Sequence, residues 1–176
     1  MEKENYDAGA VLLHWTTFGL VGVVGVLGAL YETRPAAIRA SWINIHAVAG
    51  VLLWSLVVFR VWWRARHAPP APPAGLRAWE CRLAIVLHRL LYGLLLIIPI
   101  IGAVSFVYHG RVFDFGLFEI GFGIEKDRAV FHPTQEIHGY LAYGLAALVG
   151  LHVLAVLRHR FLLRDGVLAR MWPRRR

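Results

Sequence analysis

The 176-residue chain is 58% hydrophobic and only 17% charged, with a formal net charge of +8. Ordinary globular domains are about 45–50% apolar and about 25% charged, so this composition excludes an ordinary soluble domain. With 12% aromatic residues it also excludes a disordered chain. A single cysteine, Cys81, excludes an internal disulfide framework, a paired-cysteine metal or redox site and covalent c-type haem.

Four stretches carry no Asp, Glu, Lys or Arg: residues 8–31, 40–59, 90–110 and 137–157. Each reaches the roughly 20 residues that a helix needs to cross a hydrocarbon layer about 30 Å thick. None shows the period-two alternation of a barrel strand, and lipid admits only helices or closed barrels. The pattern predicts helices over about 8–31, 40–63, 83–108 and 136–158 in a single all-α membrane domain, a four-transmembrane-helix bundle. The leader before the first helix is acidic and the apolar run is long, so the first helix is expected to be retained and not cleaved as a signal peptide.

With four crossings both termini lie on one side. Lys3, Arg60, Arg64, Arg66, Arg77, Arg82, Arg89 and the seven C-terminal arginines would share that side, against Arg34, Arg39, Arg111, Lys126 and Arg128 on the other. The bias of basic residues toward the inside places both termini in the cytoplasm. The positive charge is therefore a topology signal and no nucleic-acid partner is expected. A Pro-rich stretch at residues 68–75 reads as a stiff spacer. The outer segment 111–135 holds Phe113, Phe115, Phe118, Phe122 and Phe131, too aromatic for a solvated loop, and is expected to fold down as a lid with glycines 116, 121 and 123 at its turns. The tail 159–176 mixes arginines with Phe161, Leu162, Leu163, Leu168, Met171 and Trp172, the pattern of an interfacial amphipathic helix on anionic lipid.

Nine histidines are the unusual count. His14, His46, His138 and His152 fall inside the uncharged runs and His88 at the edge of one, where ionisable groups are costly and mark function. His138 and His152 are 14 residues apart, about 21 Å of rise and within about 40° of one face. His46 matches the outer depth of His138, and His14 the inner depth of His152. Each level supplies two ligands with no carboxylate or thiolate, whereas zinc takes four, or three and a water. A porphyrin brings four nitrogens of its own, so two axial histidines complete an iron site. The expected pairs are His46 with His138 outside and His14 with His152 inside, with Gly19, Gly50, Gly139 and Gly144 giving a flat macrocycle room.

Several motifs resemble the bacterial cytochrome b561 family of small four-helix membrane proteins. They are Leu13-His-Trp15, Asn44-Ile-His46 with Gly50, His88-Arg-Leu-Leu-Tyr92 running to Pro99 and Gly102, Ile137-His138 through Gly150-Leu-His152, then His159 and the Arg-rich tail. Their order and spacing cover essentially the whole chain. The resemblance implies two haem b groups on His14, His46, His138 and His152 in a bacterial inner membrane. It also implies an oxidoreductase in which superoxide at the outer surface gives electrons that pass to ubiquinone, with cytoplasmic protons. His88 and His159, near the cytoplasmic end, are then candidates for proton or quinone contact; His159 lies about 20° from the face of His152, and a headgroup-facing position stays equally open. Arg34, Arg39, Arg111, Lys126 and Arg128 are candidates for steering an anion, and His109 and His132 are expected in exposed loops. Two alternatives stand beside this reading: a cytochrome b anchor subunit relaying electrons between a periplasmic partner protein and quinone, and a histidine-lined metal or proton transporter, which the lack of inner carboxylates disfavours. Oligomeric state is left open.

Overall fold

The computed structural model describes residues 5–71 and 76–173. The acidic leader at residues 1–4, the second half of the Pro-rich spacer at 72–75 and the last three arginines lie outside the described residues. Four helices are long and apolar enough to cross a membrane: α1 (Ala8–Ala29), α2 (Ala36–Arg66), α3 (Ala78–Tyr108) and α4 (Arg128–Arg158). The last three have 31 residues each, about 46 Å of rise, so they project beyond a hydrocarbon layer of about 30 Å.

Local chemistry sets the helix starts. Asp7 accepts from the Ala10 N–H at 2.9 Å and opens α1; Asp127 accepts from the Ala129 N–H at 2.8 Å and opens α4. Each carboxylate satisfies one of the orphan donors of a first helical turn. Pro35 precedes α2, where its fixed φ suits a helix entrance, and the Glu80 carboxylate reaches back to the Arg77 N–H at 3.1 Å to close the start of α3.

α1 packs on α2, α2 on α3 and α3 on α4. The buried centre is small: Leu53 and Val57 of α2 and Leu95 of α3, with Leu20, Val21, Val24, Tyr92, Leu96 and Leu145 against them. Val57 is 0% exposed. Most other large apolar side chains, among them Leu12, Val26 and Leu154, point outward, as suits a bundle whose outer surface meets lipid and not water.

At one end of the bundle, strands β1 (Phe113–Asp114) and β2 (Glu119–Ile120) form a minimal antiparallel hairpin pairing Phe113 with Ile120 and Asp114 with Glu119. Gly116, at φ 82°, makes the reversal that a side chain would strain. Asn44 of α2 holds the hairpin from both sides, donating to the Asp114 carbonyl at 2.8 Å and accepting its N–H at 3.1 Å. Phe113 is buried against Phe106, with ring centroids 4.7 Å apart. Phe118 and Phe122 are exposed and Leu117 at the tip is 96% exposed, so the aromatic content of this segment is only partly docked. Because α4 begins at Arg128, Phe131 and His132 belong to its first turns and not to the loop.

The opposite end holds both described termini. Over the described part of the tail, residues 159–173, the chain does not run as the single amphipathic helix expected for 159–176. The last turn of α4 widens into a π-turn at His159–Leu163, and Arg164 at φ 52° and Gly166 at φ 77° enter the left-handed region that ends a helix. The chain then doubles back through a 3₁₀ turn at Leu168–Met171 to α1. There Trp15 Nε1 donates to the Met171 carbonyl at 2.8 Å and Trp172 meets the Trp15 ring edge at 5.5 Å.

Asp7 also accepts from Trp63 Nε1 at 3.1 Å, tying α1 to α2. Burial pushes its carboxyl pKa up, but hydrogen bonds from Ala10 and Trp63 and the nearby His67 outweigh it and hold it below 3.8. A depressed folded value means the cap contributes fully above the ordinary carboxylate range and is lost only as pH falls through the folded value. Replacing Asp7 with Ala is expected to cost about 1 kcal/mol of local stability, read as about fivefold faster amide exchange at Ala10 and Val11 at neutral pH, a difference that disappears in strong acid.

Candidate functional site

Along the bundle axis the side chains fall into three layers. At the hairpin end, His46 of α2 faces His138 of α4, with ring centroids 6.1 Å apart and planes at 85°. At the end holding the termini, His14 of α1 faces His152 of α4 at 6.3 Å and 66°. Between them lies the aliphatic layer of Leu53, Val57 and Leu95. The structure thus brings the four intramembrane histidines together two by two, and α4 supplies one member of each pair.

The hairpin-end pair is held from behind. His46 Nδ1 lies 3.0 Å from the Val24 carbonyl and His138 Nδ1 lies 3.0 Å from the Ile98 carbonyl. A carbonyl can only accept, so Nδ1 carries the proton in each ring and Nε2 keeps its lone pair for a ligand. Two glycines make room for these rings. A Cβ on Gly28 would stand 2.9 Å from His46 Cε1, and one on Gly102 only 2.7 Å from His138 Cε1, closer than carbon atoms pack.

The pair at the termini end has different surroundings. Arg60 of α2, counted in the sequence among the basic flanks, turns inward: its Nη2 donates to His14 Nδ1 at 2.9 Å and its guanidinium lies over the Tyr92 ring at 5.4 Å. His88 joins this level, its ring 5.2 Å from that of His152 and its Nδ1 donating to the Ala84 carbonyl at 2.6 Å. His159 is not brought to this cluster; its Nδ1 faces the Asp165 carboxylate instead. Burial pushes the Asp165 carboxyl up, but His159 and the Val167 N–H outweigh it and hold it below 3.8.

A metal–imidazole bond is about 2.0–2.1 Å long and an imidazole ring atom lies about 1.1 Å from the ring centre, so two opposed imidazoles on one metal place their centroids about 6 Å apart. Both pairs have this separation. Among the described residues no group of three or more His, Cys, Asp or Glu is arranged to hold a metal ion, so a bare metal lacks a full ligand set here. A planar macrocycle would supply the missing four nitrogens. Gly19, Gly50, Gly139 and Gly144 have nothing within 4 Å of where a Cβ would stand. An open apolar cavity of about 650 Å³ runs along α1, α2 and α4, lined by Phe18, Gly19, Gly22, Val26, Trp42 and Val149 and by none of the four paired histidines.

The hairpin end also gathers positive charge. Arg111 Nε donates to His109 Nδ1 at 3.2 Å, Lys126 lies 5.4 Å over the Phe131 ring, and Phe131 carries the His109 and His132 rings at 4.6 and 4.4 Å. Burial first, then Arg111 and Lys126, push the His109 pKa below 6.5. Arg34 and Arg39 are engaged elsewhere: Arg34 lies over Trp42 at 4.9 Å and Arg39 binds the Arg34 carbonyl at 3.0 Å. Sequence reasoning gave no site role to Arg60, Gly28 or Gly102. The only signal for Arg60 was that it abuts an uncharged run, one turn or so inside a helix that continues to Arg66.

Comparison with known proteins gives a match to the family model for prokaryotic cytochrome b561 over residues 5–174. Cytochrome b561 homolog 1 of Escherichia coli (strain K12) is 26% identical over 168 residues, covering 94% of this chain and 96% of that protein. The probable superoxide oxidase CybB of Yersinia pestis is 26% identical over 179 residues, covering 98% of each. Cytochrome b561 homolog 2 of Escherichia coli (strain K12) is 27% identical over 173 residues, covering 96% of this chain and 91% of that protein.

Because a side chain at position 102 meets the His138 ring, Gly102→Val is expected to destabilise the protein by about 1–3 kcal/mol through overpacking. The check is a lowered thermal midpoint in detergent.

Proposed function

The chain belongs to the prokaryotic cytochrome b561 family, and from that premise we propose that it is a di-haem b oxidoreductase carrying electrons from a small periplasmic donor, superoxide, to ubiquinone across the bacterial inner membrane. The family is one of membrane cytochromes that bind haem b and transfer electrons. The observation that carries the finer reading is the pair of imidazole pairs at 6.1 and 6.3 Å. His46 with His138, and His14 with His152, would hold the two haems, and the basic residues clustered on the side of the termini support a cytoplasmic position for the termini-end pair. When bound, haem supplies a one-electron redox centre at each level.

The remaining work falls to the side chains. The carbonyls of Val24 and Ile98 hold Nδ1–H of His46 and His138 and so would leave Nε2 of each ring free to take up iron. The layer of Leu53, Val57 and Leu95 excludes water between the two levels and keeps protons from following electrons. Arg111 and Lys126, gathered with His109 round Phe131, make a local positive mouth on a side whose sequence is net acidic, which draws a small anion. Two superoxide ions then give two electrons and leave as two molecules of oxygen, while one quinone takes both electrons and two protons to become quinol. His88, at the level of His14 and His152, is the candidate to hand on a proton from the cytoplasmic side, and His159, paired with Asp165 outside that cluster, is a second candidate. The similarity to the probable superoxide oxidase of Yersinia pestis supports superoxide as donor.

A second reading has its own observation. Leu117, Phe118 and Phe122 stand exposed at the hairpin, a surface suited to a periplasmic partner protein, which would make the chain an anchor subunit passing that partner's electrons to quinone. Rapid mixing of superoxide with the purified oxidised protein and a short-chain ubiquinone separates the two. The first reading expects haem reduction faster than spontaneous dismutation, slowed roughly tenfold or more in Arg111→Gln/Lys126→Gln and with a weaker dependence on salt in that variant. Reduction no faster than dismutation would favour the partner-fed subunit.

A further inference from the structure

The two imidazole pairs differ in what stands behind Nδ1. At the hairpin end both rings give their Nδ1 proton to backbone carbonyls at 3.0 Å. At the termini end the atom facing His14 Nδ1 belongs to a cation, Arg60 Nη2 at 2.9 Å, and His152 meets the rings of His14 and His88. Arg60 is half-buried, with its guanidinium over Tyr92. Among the described residues the ion pairs are Arg158 with Glu80 and His159 with Asp165, neither of which involves it. An arginine turned into a membrane bundle at such a place is costly and marks a function.

We propose that Arg60 raises the reduction potential of the His14–His152 site above that of the His46–His138 site, so that the direction of electron transfer is built into the groups behind the imidazoles. The proposal rests on the reading of the two pairs as haem ligands. A carbonyl that accepts Nδ1–H makes the imidazole more electron-rich. That favours the oxidised, more positive iron and lowers the potential of the hairpin-end site. A neutral His14 that accepts from Arg60 carries its proton on Nε2. Ligation through Nε2 would move that proton to Nδ1, ending this hydrogen bond because a guanidinium only donates, and would leave the guanidinium as a positive neighbour with no carbonyl to offset it. A fixed positive charge a few ångströms away in a low-dielectric interior favours the reduced, less positive iron. Both differences have the same sign. One electron then passes from the hairpin end to the termini end with no exchange of atoms, and it arrives at the level of His88.

A spectroelectrochemical titration of the haem-loaded protein tests this without turnover. The expected result is two one-electron waves separated by at least a tenfold electron-sharing equilibrium, about 59 mV. His46→Ala retains the upper wave and His14→Ala the lower. Arg60→Leu shifts the upper wave down by at least tenfold in equilibrium constant and leaves the lower in place, whereas Arg60→Lys keeps most of the separation. The proposal is overturned by coincident waves, by an upper wave that survives in His14→Ala, or by an Arg60→Leu shift that raises the upper wave, the sign expected if Arg60 instead stabilises a deprotonated His14. If Arg60→Leu does not load haem, the wave assignments in the two histidine variants decide the question. Two haems with equal or reversed waves defeat this inference alone, while a protein that loads no haem defeats the ligand reading and this inference together.

Discussion

The constraint on which the rest depends is the meeting of imidazole rings across the bundle at about 6 Å, twice, from a single helix. α4 presents His138 and His152 with 14 residues between them, and a partner must stand opposite each. His46 meets His138 at 6.1 Å and His14 meets His152 at 6.3 Å. These separations set how closely α1 and α2 approach α4. They also explain why Gly28 and Gly102 have no side chain: a Cβ on either would enter a histidine ring.

A membrane bundle gains little from burying apolar groups against one another, because lipid is as apolar as leucine. The compact centre of Leu53, Val57 and Leu95 is correspondingly small, and the polar groups carry specificity. The Nδ1 bonds to Val24 and Ile98 link α2 to α1 and α4 to α3. Asp7 to Trp63 and Trp15 to the Met171 carbonyl tie the termini end, and Asn44 to Asp114 ties the hairpin end. Each polar contact fixes an orientation that dispersion alone would leave free. The aliphatic layer of Leu53, Val57 and Leu95 stands between the two histidine levels.

Much of this was legible in the sequence where a single physical signal dominates. Four uncharged runs specify four spans because a charge in hydrocarbon is expensive. Rise per residue assigns depths to histidines, which is why His46 was expected beside His138 and His14 beside His152, the rings that the structure brings together. Legibility ends where direction around a helix or competition between local bonds decides. Arg60 reads as a flanking charge, yet its long side chain reaches back to His14. Phe131 and His132 read as loop residues because Arg128 and Glu136 interrupt the hydropathy, but the Asp127 cap begins α4 ahead of them. The tail has amphipathic composition, yet Asp165 captures His159 and the Val167 N–H, and left-handed Arg164 and Gly166 turn the chain back under α1.

The central claim is that two opposed histidine pairs each hold one haem b. The most direct measurement is the haem b content of the purified, detergent-solubilised protein against its protein concentration, with the reduced-minus-oxidised spectrum recorded on the same sample. The account predicts two haem b per chain with low-spin bis-histidine bands, falling to one or fewer on replacing His138 or His152 with Ala. A wild-type content of one or none, or a content unchanged in either variant, would contradict it.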